Sequence, residues 1–358
     1  MPDTSPAGPF AVQPRLDVKP WGGSRLAAYG FEAPGGSVEP LGEVVVSASQ
    51  SIITTGPWQG TSLGDLTARF PGAVAGHLGR AVTGGRPVFP LLIKLIDAAQ
   101  HLSIQVHPDD DLAAAADSTG KTEAWYVLDA PADGQLFLGL TSVSTATFLA
   151  ACRDGDGSSA RYLRTVSARA GETVILPAGT VHALGAGVLV YEVQQPSEIT
   201  YRLDDWGRVG ADGQPRARHL EEGGRAIKPY LRPVPTAGID REPVAGDRRI
   251  LAACRYFALE RISLWAGGRI ETTTSGSPQV LTVIDGEATI RGGDTELTAA
   301  RGDSVVVPAA LHAVTVTGPE QATVLRSWVP DLLTEIIAPA HRAGVSDSAL
   351  AAIDVTIP

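Results

Sequence analysis

Four side chains of this 358-residue sequence have the types and spacing to hold a divalent metal: Gln105, His107, Glu123 and His182. Leu102-Ser103-Ile104-Gln105-Val106-His107 alternates apolar and polar residues, the period of a half-buried strand. Leu102, Ile104 and Val106 share one face, and Ser103, Gln105 and His107 share the other. An amide and an imidazole two residues apart on one face can offer ligands to a single ion. Pro108-Asp109-Asp110 then stops the strand. Glu123 follows in GKTEAWYVLDA, and His182 in LPAGTVHALGAG. Two imidazoles, a carboxylate and an amide oxygen make a mixed nitrogen and oxygen set that suits zinc better than magnesium, and iron or manganese can use it too. Taken alone, Gln105 reads better as a strand-end amide capping a backbone group.

Two cations and two acids lie near these residues. Lys121 stands two positions before Glu123 on the same strand face, so it either points toward the same centre or pairs with Asp97 or another surface acid. Gly120-Lys121-Thr122 is not a phosphate loop. The motif needs Gly five residues before Gly120, where Ala115 stands, and a strand rather than a helix follows. Arg202 either serves the site or pairs with Asp204 or Asp205. Glu192 and Glu198 are read as carboxylates behind the ligands or as surface charges.

Most elements that must carry these residues are strands. Gly42–Ser47, Ser51–Thr55, Phe89–Ile96, Glu123–Leu128, Gly187–Gln194 and Glu198–Leu203 read as strands. Leu63, Leu66 and Phe70 fall at helical spacing after Ser62, a suitable N-cap, and further short helices are expected at 111–116 and 142–152. Residues 1–15, rich in Pro and small side chains, read as a loose arm. Residues 207–248 are Gly-, Pro- and Arg-rich with weak periodicity and read as a domain boundary. From Arg249 to about Trp328 short strands alternate with Gly turns, an all-β sandwich or barrel. The expected division is a metal-binding domain at 1–225, a linker at 226–248 and a second β domain at 249–358.

Composition narrows the class. The chain is 44% hydrophobic and 19% charged, with 40 Gly and 26 Pro, which suits a turn-rich β protein. Its net charge of −10 comes without any Lys/Arg run, so a nucleic-acid partner is not expected, whereas a local cation cluster can still receive a phosphate. Two cysteines, Cys152 and Cys254, exclude a cysteine-based structural zinc site and fit a reduced compartment. The N-terminus has no basic and apolar leader pattern, and no run reaches the length of a membrane span, so a cytoplasmic protein is expected.

A repeat links the halves. Gly171-Glu172-Thr173-Val174-Ile175-Leu176-Pro177-Ala178 runs to His182, and Gly302-Asp303-Ser304-Val305-Val306-Val307-Pro308-Ala309 runs to His312. The pattern resembles a signature strand pair of the cupin barrel, a small jelly roll. The expected fold is therefore mainly β: two tandem cupin barrels, with small helical insertions in the N-terminal half. His312 lacks upstream partners and is read as a packed, hydrogen-bonded wall residue, which makes the second barrel structural.

Longer blocks are more specific. Trp21-Gly22-Gly23, the stretch Phe89–Asp110 with LSIQVHPDD, Gly120–Tyr126, Val181–Ala183 and Tyr201–Arg208 together resemble the type I phosphomannose isomerase family (mannose-6-phosphate isomerase), in its short bacterial form. The resemblance implies one zinc ion per chain, held by Gln105, His107, Glu123 and His182. It implies active-site roles for Lys121 and Arg202, with Lys94 and Ser103 near the substrate end; Trp21 and Glu192 complete the expected substrate-binding set. The implied reaction interconverts mannose 6-phosphate and fructose 6-phosphate through a cis-enediol, with a small sugar phosphate as the partner. The proton carrier stays open between a metal-bound water, Glu192 and a histidine. One departure is Glu43-Val44-Val45-Val46-Ser47, where the family has a second acid and an aromatic, as in EVWEIS. Two other readings remain: a cupin isomerase or oxygenase acting on another small sugar or acid, and a sugar-phosphate binder without turnover.

Overall fold

The computed structural model describes residues 4–35, 37, 39–210, 213–241 and 246–353. Among these, four antiparallel sheets form two pairs. In the N-terminal half a six-stranded sheet runs in the order Arg15–Gly23, Leu41–Ser47, Leu92–Ala98, Val188–Gln194, Glu123–Asp129, Thr173–Leu176. Its companion has five strands: Tyr201–Asp204, Ile104–Val106, His182–Leu184, Gln135–Leu140 and Leu163–Ser167. The C-terminal half pairs a seven-stranded sheet with a four-stranded one.

Side-chain alternation explains the layering, because successive residues of a strand face opposite ways. Trp125 and Val127 join Ile96 and Val190 in a core shared with Leu136, Leu138 and Leu184 of the five-stranded sheet. Ala124 and Tyr126 point the other way, with Leu95 and Tyr191, into a core shared with Leu259, Val280, Val306 and Leu325 of the seven-stranded sheet. The six-stranded sheet is thus buried on both faces, and its strands read as near-continuous apolar runs. Tyr191 crosses this core to Ser327, 3.0 Å away, and burial pushes its phenol up to about 12.

Several expectations need correction. Phe10–Ala11, in the stretch read as a loose arm, pairs with Ser304–Val307 in the seven-stranded sheet, because Phe10 and Val12 bury their side chains. Residues 1–3 of that arm lie outside the described residues. Ser51–Thr55 makes only single bridges, as Gly56 turns the chain at a φ of 72°. Residues 226–248 carry the strand Ile239–Asp240 and the start of Gly246–Ala253, both in the seven-stranded sheet. The weakly periodic stretch before them holds a helix, Leu220–Ala226. After Trp328 the chain turns helical (Leu332–Ile337, Ala338–Arg342 and Asp347–Ile353), which the sequence reading did not anticipate. His312 is exposed rather than packed, sitting in the turn before Ala313–Thr317.

The expected N-terminal helices are present. Ser62 Oγ caps Leu63–Arg69 by accepting the Asp65 N–H at 3.0 Å. Ser144 caps Thr145–Ala151 in the same way. No helix among the described residues is long and apolar enough to cross a membrane.

Candidate metal centre

The centre forms where the two N-terminal sheets approach. Gln105 lies between two strand partners, opposite His182 on one side and Arg202 on the other. His107 follows the end of its strand and His182 begins the next. Glu123 is the first residue of Glu123–Asp129 in the facing sheet. Side chains distant in sequence therefore converge because two sheet edges meet.

His107, Glu123 and His182 are fully buried, with ligand atoms all within 4.8 Å of one another. His107 Nε2 is 3.4 Å from Glu123 Oε2, and His182 Nε2 is 3.2 Å from Oε1. Gln105 joins them, its amide nitrogen 3.3 Å from His182 Nε2, and a half-turn of the amide group puts its oxygen in the same place.

The second ring nitrogens decide what this cluster can do. His107 Nδ1 donates to the Ile199 carbonyl and His182 Nδ1 to the Thr180 carbonyl, each at 2.9 Å. With the proton on Nδ1, each Nε2 presents a lone pair. Burial, followed by the nearby Lys121 ammonium, holds the His107 imidazolium pKa well below the ordinary value, so that ring is neutral. Two lone pairs thus face a carboxylate whose oxygens are both buried and without hydrogen bonds. Burying such a carboxylate is costly unless a cation offsets it. Burial alone would raise the Glu123 pKa, but the Lys121 ammonium draws it well below the usual range, keeping it anionic. This donor set fits a divalent ion: two imidazole nitrogens, a carboxylate, and an amide at the rim.

Lys121 points into this centre rather than to Asp97. Its Nζ is 3.1 Å from Glu123 Oε2 and 3.2 Å from His107 Nε2. Asp97 instead pairs with Arg25.

Beside the centre opens a cleft of about 390 Å³, lined in part by Trp21, Lys94, Ser103, Gln105, Lys121, Glu192 and Arg202. One wall carries Lys94 between Glu43 and Glu192, with Nζ–O distances of 3.4 and 3.7 Å. Burial works against the Lys94 charge, yet these acids raise its pKa. Glu192 accepts from Trp125 Nε1 at 2.8 Å through Oε2, while Oε1 is buried without a hydrogen bond, facing the Lys94 ammonium at 3.7 Å. Burial and the neighbouring Glu123 raise the Glu192 pKa. Glu198 stands at the cleft, half-exposed, paired with Arg15.

At the other end Arg202 does not bond to Asp204 or Asp205. Its Nε donates to Ser103 Oγ at 3.2 Å and its Nη1 to the Ala217 carbonyl at 2.9 Å. Asp205 is held by Ser103, Arg208 and Arg216, with Arg216 Nε 2.7 Å from Oδ2. Burial would raise the Asp205 pKa, but hydrogen bonds from Arg216 and Arg208 lower it. Three guanidiniums against one carboxylate leave a cationic end, and burial together with Arg216 lowers the Arg202 pKa. Trp206, at a left-handed φ of 60°, makes the turn that carries Arg208 back, and its indole donates to the Leu102 carbonyl at 2.6 Å.

The sequence reading missed Arg216, Arg208, Asp205 and His219 here, and treated Glu43 only as part of a departure. Arg216 and His219 come from the weakly periodic stretch, which carries no strand or helix signal to point them inward. The Arg and His spacing in Arg216-Ala217-Arg218-His219 was the one available sign.

Comparison with known proteins places these features in a family. A model described as the phosphomannose isomerase type I catalytic domain matches residues 10–148, and one described as the mannose-6-phosphate isomerase cupin domain matches residues 248–329. The mannose-6-phosphate isomerase ManA of Bacillus subtilis (strain 168) is 30% identical over 312 residues, covering 84% of this chain and 93% of its own. The mannose-6-phosphate isomerase of Streptococcus mutans is 28% identical over 338 residues, covering 93% and 98%. The crystal structure of the mannose 6-phosphate isomerase from Bacillus subtilis superposes with a TM-score of 0.77 at 28% identity, covering 89% of this chain and 99% of that one. A zinc-bound mannose 6-phosphate isomerase, 18% identical, shares the fold with a TM-score of 0.67 and covers 90% of this chain and all of its own.

Proposed function

The chain belongs to the type I phosphomannose isomerase family, and we propose that it is a zinc-dependent aldose–ketose isomerase interconverting mannose 6-phosphate and fructose 6-phosphate. The observation that carries this reading is the pairing of two Nδ1-anchored imidazoles with a buried carboxylate that lacks hydrogen bonds, beside a cleft with a cationic far end. His107, Glu123, His182 and Gln105 would hold one zinc ion. When bound, zinc supplies a Lewis acid that stabilises negative charge on substrate oxygens.

The chain's own groups account for the rest. Ser103 and Gln105 are two residues apart on one strand, about 7 Å, so the cationic end and the metal end suit the two ends of a hexose 6-phosphate. Arg202 and Arg216 receive the phosphate, for which a guanidinium fork is well shaped. Lys121 neutralises charge that develops on the substrate near Glu123. Isomerisation moves a proton between C1 and C2 through a cis-enediol. Glu192 is our choice for that transfer, because an Oε1 without a hydrogen bond and a raised pKa suit a base working near neutrality. Trp21 and the Glu43–Lys94 pair shape the wall. The C-terminal half acts as the scaffold behind the six-stranded sheet; among the described residues, His107, Glu123 and His182 form the metal-competent group.

The test is a coupled assay for fructose 6-phosphate formed from mannose 6-phosphate. Turnover is expected, and sugar-phosphate binding without product would leave only a binder. A second reading, an oxygenase of the same fold, would require redox-active iron in the purified protein and dioxygen consumption.

A further inference from the structure

We infer that His219 is a substrate-contacting residue that donates a hydrogen bond from Nε2 to an oxygen of the bound sugar, between the cationic end and the metal centre. This deepens the isomerase reading and rests on it. His219 lines the cleft with Arg202, Thr200 and Gln105, although it comes from a loop far along the chain. It is clamped twice to one residue: its backbone N–H donates to the Arg202 carbonyl at 2.7 Å, and the Arg202 N–H donates to its Nδ1 at 3.2 Å.

The second bond fixes the chemistry of the ring. A nitrogen that accepts from a backbone N–H cannot carry the proton, so the proton sits on Nε2. The Tyr201 ring, with its centroid 6.3 Å away, flanks the imidazole. No hydrogen bond to Nε2 appears among the described residues, so the nitrogen left for the cleft is an N–H donor. This is the reverse of His107 and His182, whose Nδ1 atoms donate and whose Nε2 atoms accept. The metal-facing rings therefore offer lone pairs, and the ring facing the sugar offers a proton. A hydroxyl or ring oxygen of a sugar accepts such a bond. A free phosphate is already served by Arg202 and Arg216, so His219 recognises the sugar portion.

Conservative substitutions separate this role from a structural one. Asn places an acceptor near Nδ1 and keeps the Arg202 clamp while losing the distal donor; Gln places a donor near Nε2 and loses the clamp. With zinc-loaded enzyme, His219→Asn is expected to raise KM for mannose 6-phosphate about tenfold, the loss of one neutral hydrogen bond. Inhibition by inorganic phosphate stays at the wild-type level, and His219→Gln recovers most of the loss. Should His219→Asn melt early, His219→Gln against His219→Met makes the same comparison, since both lack Nδ1 and only one has a donor. A wild-type KM in His219→Asn overturns the inference. So does equal damage in Asn and Gln variants accompanied by weaker phosphate inhibition, which would mean that His219 only holds Arg202. Failure of the wild-type protein to turn over mannose 6-phosphate refutes the isomerase reading instead, and calorimetric binding of the same sugar then carries the comparison.

Discussion

Glu260 in the C-terminal half and Glu123 in the N-terminal half are both completely buried, and the two are treated in opposite ways. Glu260, on the Ala258–Leu264 strand of the C-terminal half, accepts from Arg248 at 2.8 and 2.9 Å and from Arg326 at 3.0 Å, with Arg241 at 3.4 Å. Arg326 is itself buried, donating to Gln279 at 2.6 Å and lying over Trp328, 3.9 Å from its ring centroid. Glu123, in the N-terminal half, is met by one cation, the Lys121 ammonium 3.1 Å from Oε2, and faces two imidazole lone pairs. A buried acid that the protein satisfies by itself supports the fold. One that shares its burial with two imidazole lone pairs and a single lysine supports chemistry.

The sharpest way to break this contrast is to neutralise each acid in turn. Glu123→Gln is expected to lower turnover at least on the order of 10³-fold and to abolish metal retention. Comparable turnover in the variant would place Glu123 with Glu260 as a structural acid.

Glu260→Gln should do the opposite. Losing one member of a buried ion pair leaves Arg326 uncompensated and costs about 3–5 kcal/mol, read by urea unfolding of the metal-free protein, with metal content and KM unchanged in the folded fraction. The pH dependence sharpens the point. Burial would raise the Glu260 pKa, but Arg248 and Arg326 lower it to about 2 from an ordinary value of 4.5. A depressed carboxylate stabilises the fold above its unfolded pKa and loses that contribution as pH falls. The stability gap between wild type and Glu260→Gln should therefore be full above about pH 5 and close between 4.5 and 2.

Smaller effects grade the N-terminal site. Arg202→Lys keeps the charge but loses the fork to Ser103 and Ala217, so kcat/KM is expected to fall on the order of 10- to 100-fold, mostly through KM. An unchanged KM would remove Arg202 from the phosphate end. Gln105→Ala should weaken zinc affinity about tenfold without ending activity, since the amide lies at the rim of a centre held by three stronger ligands. Unaltered affinity by competition with a chelator would return Gln105 to a strand-capping role.

How much of this was legible in the sequence follows the same division. Gln105 and His107 fall in a stretch with clear alternation, so their shared face was readable before its meeting point with Glu123 and His182 was known. The layers were readable in part, since Leu92–Ala98 and Val188–Gln194 are apolar on both faces of a doubly buried sheet. Arg216 and His219 were not, because a loop has no period and only tertiary pairing with Arg202 and Asp205 turns them inward. Phe10 was lost among prolines and small residues, although one buried aromatic sufficed to add a strand to a distant sheet. His312 shows the limit of repeat patterns: it keeps the place of His182 in the motif but lies exposed.

Zinc titration of the chelated protein, followed by mannose 6-phosphate turnover, tests the central claim most directly. Activity should rise from near zero and level off at one zinc per chain in the wild type, and should not appear at any zinc concentration in His182→Ala. Full turnover by the metal-free wild type, or zinc-dependent turnover in His182→Ala equal to that of the wild type, would contradict it.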